Sequence, residues 1–182
     1  DYNGRNLKTW KEKSYNPGLK GLCNHWIDQI EDRNYVPRIY PFLGIADSFL
    51  DGEKTLLRCG SGWTNYTIQT DGNIIPCPAM WGMKKHYVGN IFNNSPTKLR
   101  QIYVSEPCSS CDILGICGGR CLYANLTKRW NQSQYSLVCE SVRNLINSVD
   151  EVMPRITRLI KSGKLSKGDF SFLRYNGCEI IP

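Results

Sequence analysis

The sequence predicts an α+β chain: a β-hairpin and cysteine-rich loops among helices, preceded by a helix–strand unit left over from an α/β partial barrel. Three observations predict it. Apolar residues recur at helical spacing near both ends. Two strand-like runs flank Thr70-Asp71-Gly72-Asn73, and Asp-Gly in that setting is a strong hairpin signal because Gly accepts the positive φ of a tight turn. Nine cysteines stand in 182 residues, seven of them between Cys59 and Cys139.

The elements follow in order. Residues 1 to about 34 read as a helix preceded by a loop, with Trp10, Leu22, Trp26 and Ile30 near helical spacing and Asn16-Pro17-Gly18 as a break. The apolar run from Val36 to Ile45 reads as a short buried strand, and a helix feeding a buried strand is one unit of an α/β barrel. Residues 47–58 read as a connection. The hairpin strands are Trp63 to Gln69 and Asn73 to Cys77, and Tyr87 to Ile91 is a further extended piece. Ser95-Pro96 has the chemistry of an N-cap and first helical residue, predicting a short helix to about Val104. A helix carrying Leu122 and Leu126 follows the cysteine loop. A longer one spans about Cys139 to Ser162, with Val142, Leu145, Ile146, Val149, Met153, Ile156 and Ile160 as its apolar stripe, Pro154 inside it and Gly163 as its stop. Phe170 to Pro182 reads as a strand or extended tail.

Composition narrows the function classes. A 41% apolar, 21% charged chain is neither a disordered tail nor a collagenous repeat, and it has no membrane-length apolar run. A net charge of +7 is not by itself a nucleic-acid footprint, so no nucleic-acid or membrane partner is expected. The five basic residues Arg155, Arg158, Lys161, Lys164 and Lys167 read as a solvated helix face. The aromatic set Trp10, Trp26, Tyr35 and Tyr40 reads as core. His25 and His86 read as structural residues.

Cysteine is the feature to explain, and three chemistries compete. Disulfides are disfavoured by the odd count and by an opening Asp-Tyr-Asn-Gly-Arg-Asn with no signal-like apolar run. The four Asn-x-Ser/Thr triplets, at Asn65, Asn93, Asn125 and Asn131, are too short a signal to reverse this. Zinc would suit Cys108-x2-Cys111, whereas the next steps to Cys117 and Cys121 are unusual for it. Iron–sulfur clusters are held by closely spaced thiolates on loops, and here Gly115, Gly118 and Gly119 interleave the run while Gly60 and Gly62 follow Cys59.

Read together, the spacings are Cys59-x12-Gly72-x4-Cys77, then Cys108-x2-Cys111-x5-Cys117-x3-Cys121, then Cys139. This pattern resembles the SPASM domain, the C-terminal extension of many radical S-adenosylmethionine (radical SAM) enzymes that modify peptides or proteins. Val88-Gly89-Asn90-Ile91, Ser95 before a short helix, and Cys117-Gly118-Gly119-Arg120-Cys121 extend the resemblance. It divides the chain into 1–58, the end of a partial barrel and a connection; 59–142, the SPASM region; and 143–182, a C-terminal helix and tail.

The resemblance implies two auxiliary [4Fe-4S] clusters. Carried over by position, Cys59, Cys77 and Cys121 would hold an inner cluster, and Cys108, Cys111, Cys117 and Cys139 an outer one. It implies electron transfer or substrate binding for a peptide or protein substrate, in a cytoplasmic setting. Three departures follow. Members with a full ligand set have an eighth cysteine shortly before the position of Cys59, and residues 50–58 have none. The inner cluster would then have an open iron, or one filled by Cys178, Cys23 or Glu53. Sulfatase-maturing members carry an Asp, the expected proton acceptor, where this chain has Pro78. No Cys-x3-Cys-x2-Cys is present, so S-adenosylmethionine would be used only together with a missing N-terminal radical SAM portion. The chain alone is expected to be inactive. Structural zinc in an interaction module is the alternative. Cys23 reads as a buried free thiol.

Overall fold

The computed structural model describes residues 6–175, which fold as two compact units. The first and last segments, read from sequence as separate regions, belong to one unit, residues 6–54 with Trp130–Leu173. The second unit holds Thr55–Arg129, joined by residues 174–175.

The first unit is helical. Leu7–Trp10 (α1) passes through a wide π-turn, Lys11–Tyr15, into Asn16–Arg33 (α2). Asn16-Pro17-Gly18 therefore does not break the segment. Pro17 lies in the first turn of α2, where a missing N–H is tolerated, and the π-turn just before it absorbs the irregularity. Asn34 closes α2 in the left-handed conformation.

The expected strand at Val36–Ile45 is instead the approach to a helix, Tyr40–Asp51 (α3), so the anticipated helix–strand barrel unit is a pair of helices. A continuous apolar run suits a buried strand or a buried helix equally. Pro41 in the first turn, Gly52 at the left-handed C-terminal position and six consecutive buried residues, Phe42 to Asp47, decide for helix.

The long helix α6, Gln132–Lys161, begins seven residues earlier than its apolar stripe suggests. The Asn131 side chain accepts the Gln134 N–H at 3.0 Å, and the Gln134 side chain accepts the Asn131 N–H at 3.0 Å, a reciprocal capping box. α2 and α6 pack on each other. Cys23 is fully buried between them, and its thiol donates to the Ser148 carbonyl at 3.2 Å. Arg155 donates to Glu31 at 3.0 Å and to Asp28 at 2.6 Å, and it holds the Glu31 carboxyl below the usual carboxylate range. Lys11 pairs with Glu140, and Lys20 with Glu151 at 2.7 Å. Trp26 stacks against Phe42 and Phe170 with centroids 5.5 and 6.4 Å away.

The second unit carries the hairpin. Strands Thr67–Ile68 (β1), Asn73–Ile75 (β2) and Gly89–Asn90 (β3) form an antiparallel sheet in the order β1-β2-β3, with Thr67 opposite Ile75 and Asn73 opposite Asn90. Gly72 has φ 82°, and the Asn73 N–H donates to Asp71 at 3.0 Å, as the Asp-Gly turn requires. Ser95-Pro96 opens only a 3-10 turn, Pro96–Lys98, and the expected helix to Val104 does not form. Two short helices, Leu114–Cys117 (α4) and Leu122–Thr127 (α5), complete the unit. One apolar cluster in it is Leu57, Met80 and Leu122, with Cys59 and Cys77 packed against them, and Ile74, Ile75 and Val88 are buried as well.

Candidate metal centre

Six of the expected cluster ligands, Cys59, Cys77, Cys108, Cys111, Cys117 and Cys121, lie in the second unit. Cys59 sits in a tight turn closed by the Gly60 N–H on the Leu57 carbonyl at 2.7 Å. The side chain of Asn65 holds the Cys59 carbonyl at 2.7 Å. Cys77 follows β2 in extended conformation and leads into the 3-10 turn Pro78–Met80. Beside it, the Cys59 thiol donates to the Ser61 hydroxyl at 3.3 Å. Cys121 is the N-cap of α5, and its sulfur accepts the Ala124 N–H at 3.5 Å. Burial, foremost, pushes the Cys77 thiol up, and the nearby sulfurs of Cys121 and Cys59 push it the same way. Cys59 and Cys121 thus both act on Cys77 through space.

The loop that carries Cys117 is shaped for its sulfur. Gly118, Gly119 and Arg120 are all left-handed, with φ of 74°, 86° and 53°. The N–H groups of Gly119 and Arg120 in that run favour the Cys117 thiolate. Successive N–H groups aimed at one point form an anion-binding nest. Burial raises the Cys117 thiol, while these two N–H groups and the Arg58 guanidinium pull it back down; Cys111 adds a small upward push. Cys111 donates to the neighbouring Asp112 carboxylate at 3.5 Å, and the Cys111 N–H donates to the Cys108 carbonyl at 3.1 Å. Cys108 and Cys111 are both half-buried.

The remaining residues divide plainly. Cys139 is half-buried on α6, in the helical unit. Cys178 lies outside the described residues. Glu53 is exposed on the helical unit. Cys23 is the buried thiol expected, pushed up to about 11 by burial. His25 is exposed on α2, and His86 lies in a 3-10 turn, its imidazole lowered by burial and by Lys85 and Arg100.

Two residues of this unit have roles the sequence did not show: Asn125 was read only as the start of an Asn-x-Ser/Thr triplet, and Arg58 was not singled out. Asn125, buried on α5, accepts the Ser105 N–H at 2.7 Å and donates to the Ser105 carbonyl at 2.8 Å. Its Asn-Leu-Thr triplet is therefore a structural clamp on the segment entering the cysteine loop. Arg58 is almost fully buried, and its guanidinium donates to the Ile116 carbonyl at 3.0 and 2.5 Å. A polar residue in the apolar run Leu-Tyr-Ala-Asn-Leu was a readable sign of the first. The second had no local sign.

The donor set is cysteine sulfur, the chemistry that iron–sulfur clusters use. Among the described residues, no three His, Cys, Asp or Glu side chains stand close enough to hold one metal ion. Tetrahedral zinc with Zn–S of about 2.3 Å needs sulfurs about 3.8 Å apart. The zinc alternative, with its knuckle at Cys108 and Cys111, is therefore unsupported. A cubane places each thiolate on a different iron and so spreads its ligands more widely. A sulfur that already accepts a backbone N–H, as at Cys121, and N–H groups that favour the thiolate, as at Cys77 and Cys117, are what such ligands need.

The family model for SPASM, an iron-sulfur cluster-binding domain, matches residues 59–140. This segment is a SPASM domain. A solved structure of hexahistidine-tagged anSMEcpe with bound AdoMet, an anaerobic sulfatase-maturating radical SAM enzyme, is similar in fold, with a TM-score of 0.52 and 22% identity. The match covers 84% of this chain and 42% of that one, so this chain spans less than half the length of that structure. The comparison with curated proteins gives no match. Among the described residues, no helix is long and apolar enough to cross a membrane. With the domain known, the hairpin, the left-handed glycine run and α5 are the SPASM elements that position its thiols, and α6 begins inside the matched segment.

Proposed function

We propose that this SPASM domain is the auxiliary part of a radical SAM enzyme that modifies a peptide or protein, and that it holds two [4Fe-4S] clusters. Cys59, Cys77 and Cys121 would hold the inner one. Cys108, Cys111 and Cys117 would hold the outer one, with Cys139 supplied from α6. The observation that carries this reading is the match of residues 59–140, with all seven spaced cysteines, to an iron-sulfur cluster-binding domain, and the Cys121 sulfur already accepts the Ala124 N–H at 3.5 Å. When bound, such clusters accept or relay single electrons, or hold substrate at an open iron.

This chain's own residues would orient and tune. The Ala124 N–H would fix Cys121, Ser61 would orient Cys59, and the Gly119 and Arg120 N–H groups would favour the Cys117 thiolate. Hydrogen bonds to ligand sulfurs favour the charged thiolate and raise a cluster's potential. Pro78 cannot accept a proton, so a sulfatase-maturing activity that relies on an acid at that place is disfavoured. The inner set's fourth position would be open or filled by Cys178. S-adenosylmethionine chemistry belongs to an N-terminal radical SAM portion, and the cytoplasm, where thiols stay reduced, is the fitting compartment.

Anaerobic reconstitution tests this. The expected product is brown and holds about eight irons and eight sulfides per chain, in two clusters of four. Cys77→Ser should lower the iron by about half. Stoichiometric zinc without acid-labile sulfide would overturn the reading.

A further inference from the structure

The last described residues of the chain are tied to the turn that carries Cys59. Asn65 is fixed to that turn through its main chain: its N–H donates to the Gly60 carbonyl at 2.8 Å, and its carbonyl accepts the Gly62 N–H at 3.0 Å. A side-chain amide nitrogen has two hydrogens to donate. That of Asn65 donates to the Cys59 carbonyl at 2.7 Å and to the Tyr175 carbonyl. The Tyr175 ring packs edge-on against Trp63, with centroids 4.6 Å apart. A Cβ built on Gly60 would lie 3.0 Å from the Tyr175 Cβ, so the glycine after Cys59 leaves the space that Tyr175 occupies. Residues 174 and 175 belong with Thr55–Arg129 in the SPASM unit.

Cys178 follows this anchor by three residues. Three residues of chain reach up to about 10 Å when extended. The intervening Asn176-Gly177 is a dipeptide that turns a chain tightly. A [4Fe-4S] cluster takes four cysteine thiolates. The inner set has three, Cys59, Cys77 and Cys121.

We propose that Asn65 and Tyr175 anchor the C-terminal segment at Cys59 so that Cys178 supplies the fourth thiolate of the inner cluster. The proposal rests on the two-cluster reading above and chooses between its alternatives. On binding, the Cys178 thiol gives its proton to water, its sulfur bonds the fourth iron and a water leaves that iron; no electron moves. With four thiolates the inner cluster has no open iron, so it relays electrons and does not hold substrate. Asn65 and Tyr175 touch the Cys59 turn and the tail, not iron, and are positioning residues.

The test uses the reconstituted full chain, freed of added thiols. A cubane with one iron unsupported by cysteine releases that iron as Fe(II) when ferricyanide removes one electron, and the three-iron product has its own EPR signal. Wild type, Cys178→Ala, Tyr175→Ala and Glu179→Gln are compared, with Cys77→Ser assigning the inner signal. In Cys178→Ala the three-iron signal should be about tenfold that of wild type, with iron falling from about eight to about seven per chain. Tyr175→Ala should raise the signal by at least about threefold, and Glu179→Gln by less than about twofold. Independently, iodoacetamide should alkylate Cys178 about tenfold more slowly in loaded wild type than in iron-free protein, read by mass spectrometry. A Cys178→Ala signal less than about threefold that of wild type would overturn the proposal. So would a rise in Glu179→Gln as large as in Cys178→Ala, which would make the carboxylate the ligand. A Tyr175→Ala signal equal to that of wild type would overturn the anchor. If Cys178→Ala takes up only about four irons, alkylation decides: protection of about threefold or more in wild type supports the proposal, and less overturns it. A wild type that forms no clusters sinks this proposal together with the two-cluster reading, whereas two clusters with an unprotected Cys178 sink this proposal alone.

Discussion

Gly118 is constrained from two directions. Its φ of 74° disfavours any side chain, and a Cβ would meet backbone, the Leu56 carbonyl oxygen at 2.9 Å, with no flexible atom to yield. Gly118→Ala should therefore lower stability by about 1–3 kcal/mol and weaken the nest around Cys117, read as a lower denaturation midpoint and lower iron per chain. An unchanged midpoint would mean that the loop and residues 56–58 do not meet closely. Gly118 also marks the limit of reading a sequence residue by residue. The Cys-Gly-Gly-Arg-Cys motif was visible because its parts are adjacent. The burial of Arg58 was not, because its carbonyl partner lies 58 residues further on. A charged residue before a cysteine looks solvent-exposed until another segment covers it.

Between elements, the α2–α6 contact has a pH signature. Cys23 lies between these helices with its thiol raised from 9.0 to about 11 by burial, with a smaller contribution from Glu151. Below pH 9 the thiol is neutral whether the chain is folded or not, and its contribution to stability is complete. Above pH 9 the unfolded chain ionises first, so stability falls until about pH 11, by about 2–3 kcal/mol in all. Cys23→Ala should remove that part of the fall, measured as the difference between the two proteins' urea midpoints from pH 8 to 11 in iron-free protein. Parallel curves would show that the thiol is not buried. The elements themselves were unequally legible. The hairpin was readable from Asp71-Gly72, and α6 from its stripe. The start of α6 was hidden because a capping box built from Asn131 and Gln134 carries no hydrophobic signal. Residues 36–45 were misread because an unbroken apolar run has no period to measure, and the deciding Pro41 and Gly52 act only as end signals.

Across the molecule, the SPASM unit and the helical unit depend on different things. The helical unit has a broad aromatic and aliphatic core. The SPASM unit buries Leu57, Met80 and Leu122 in one cluster, with Ile74, Ile75 and Val88 also buried, and ligated metal would add a further staple to that burial. Sequence separated residues 1–58 from 143–182 because nothing local links them, whereas ion pairs and a shared core do so in space.

The helical unit is assembled from two stretches of chain, residues 6–54 and Trp130–Leu173, with Thr55–Arg129 threaded between them. A peptide cut in the exposed stretch 91–98 would leave each half with only part of that unit. The halves should nevertheless co-elute without denaturant and separate in urea, because α2 and α6 still meet through Arg155, Asp28, Glu31 and the Cys23–Ser148 bond. Native separation would show that this contact is too weak to act alone. The same logic extends to synthesis: the gene could be divided in two, and the protein recovered by complementation of its separately translated halves.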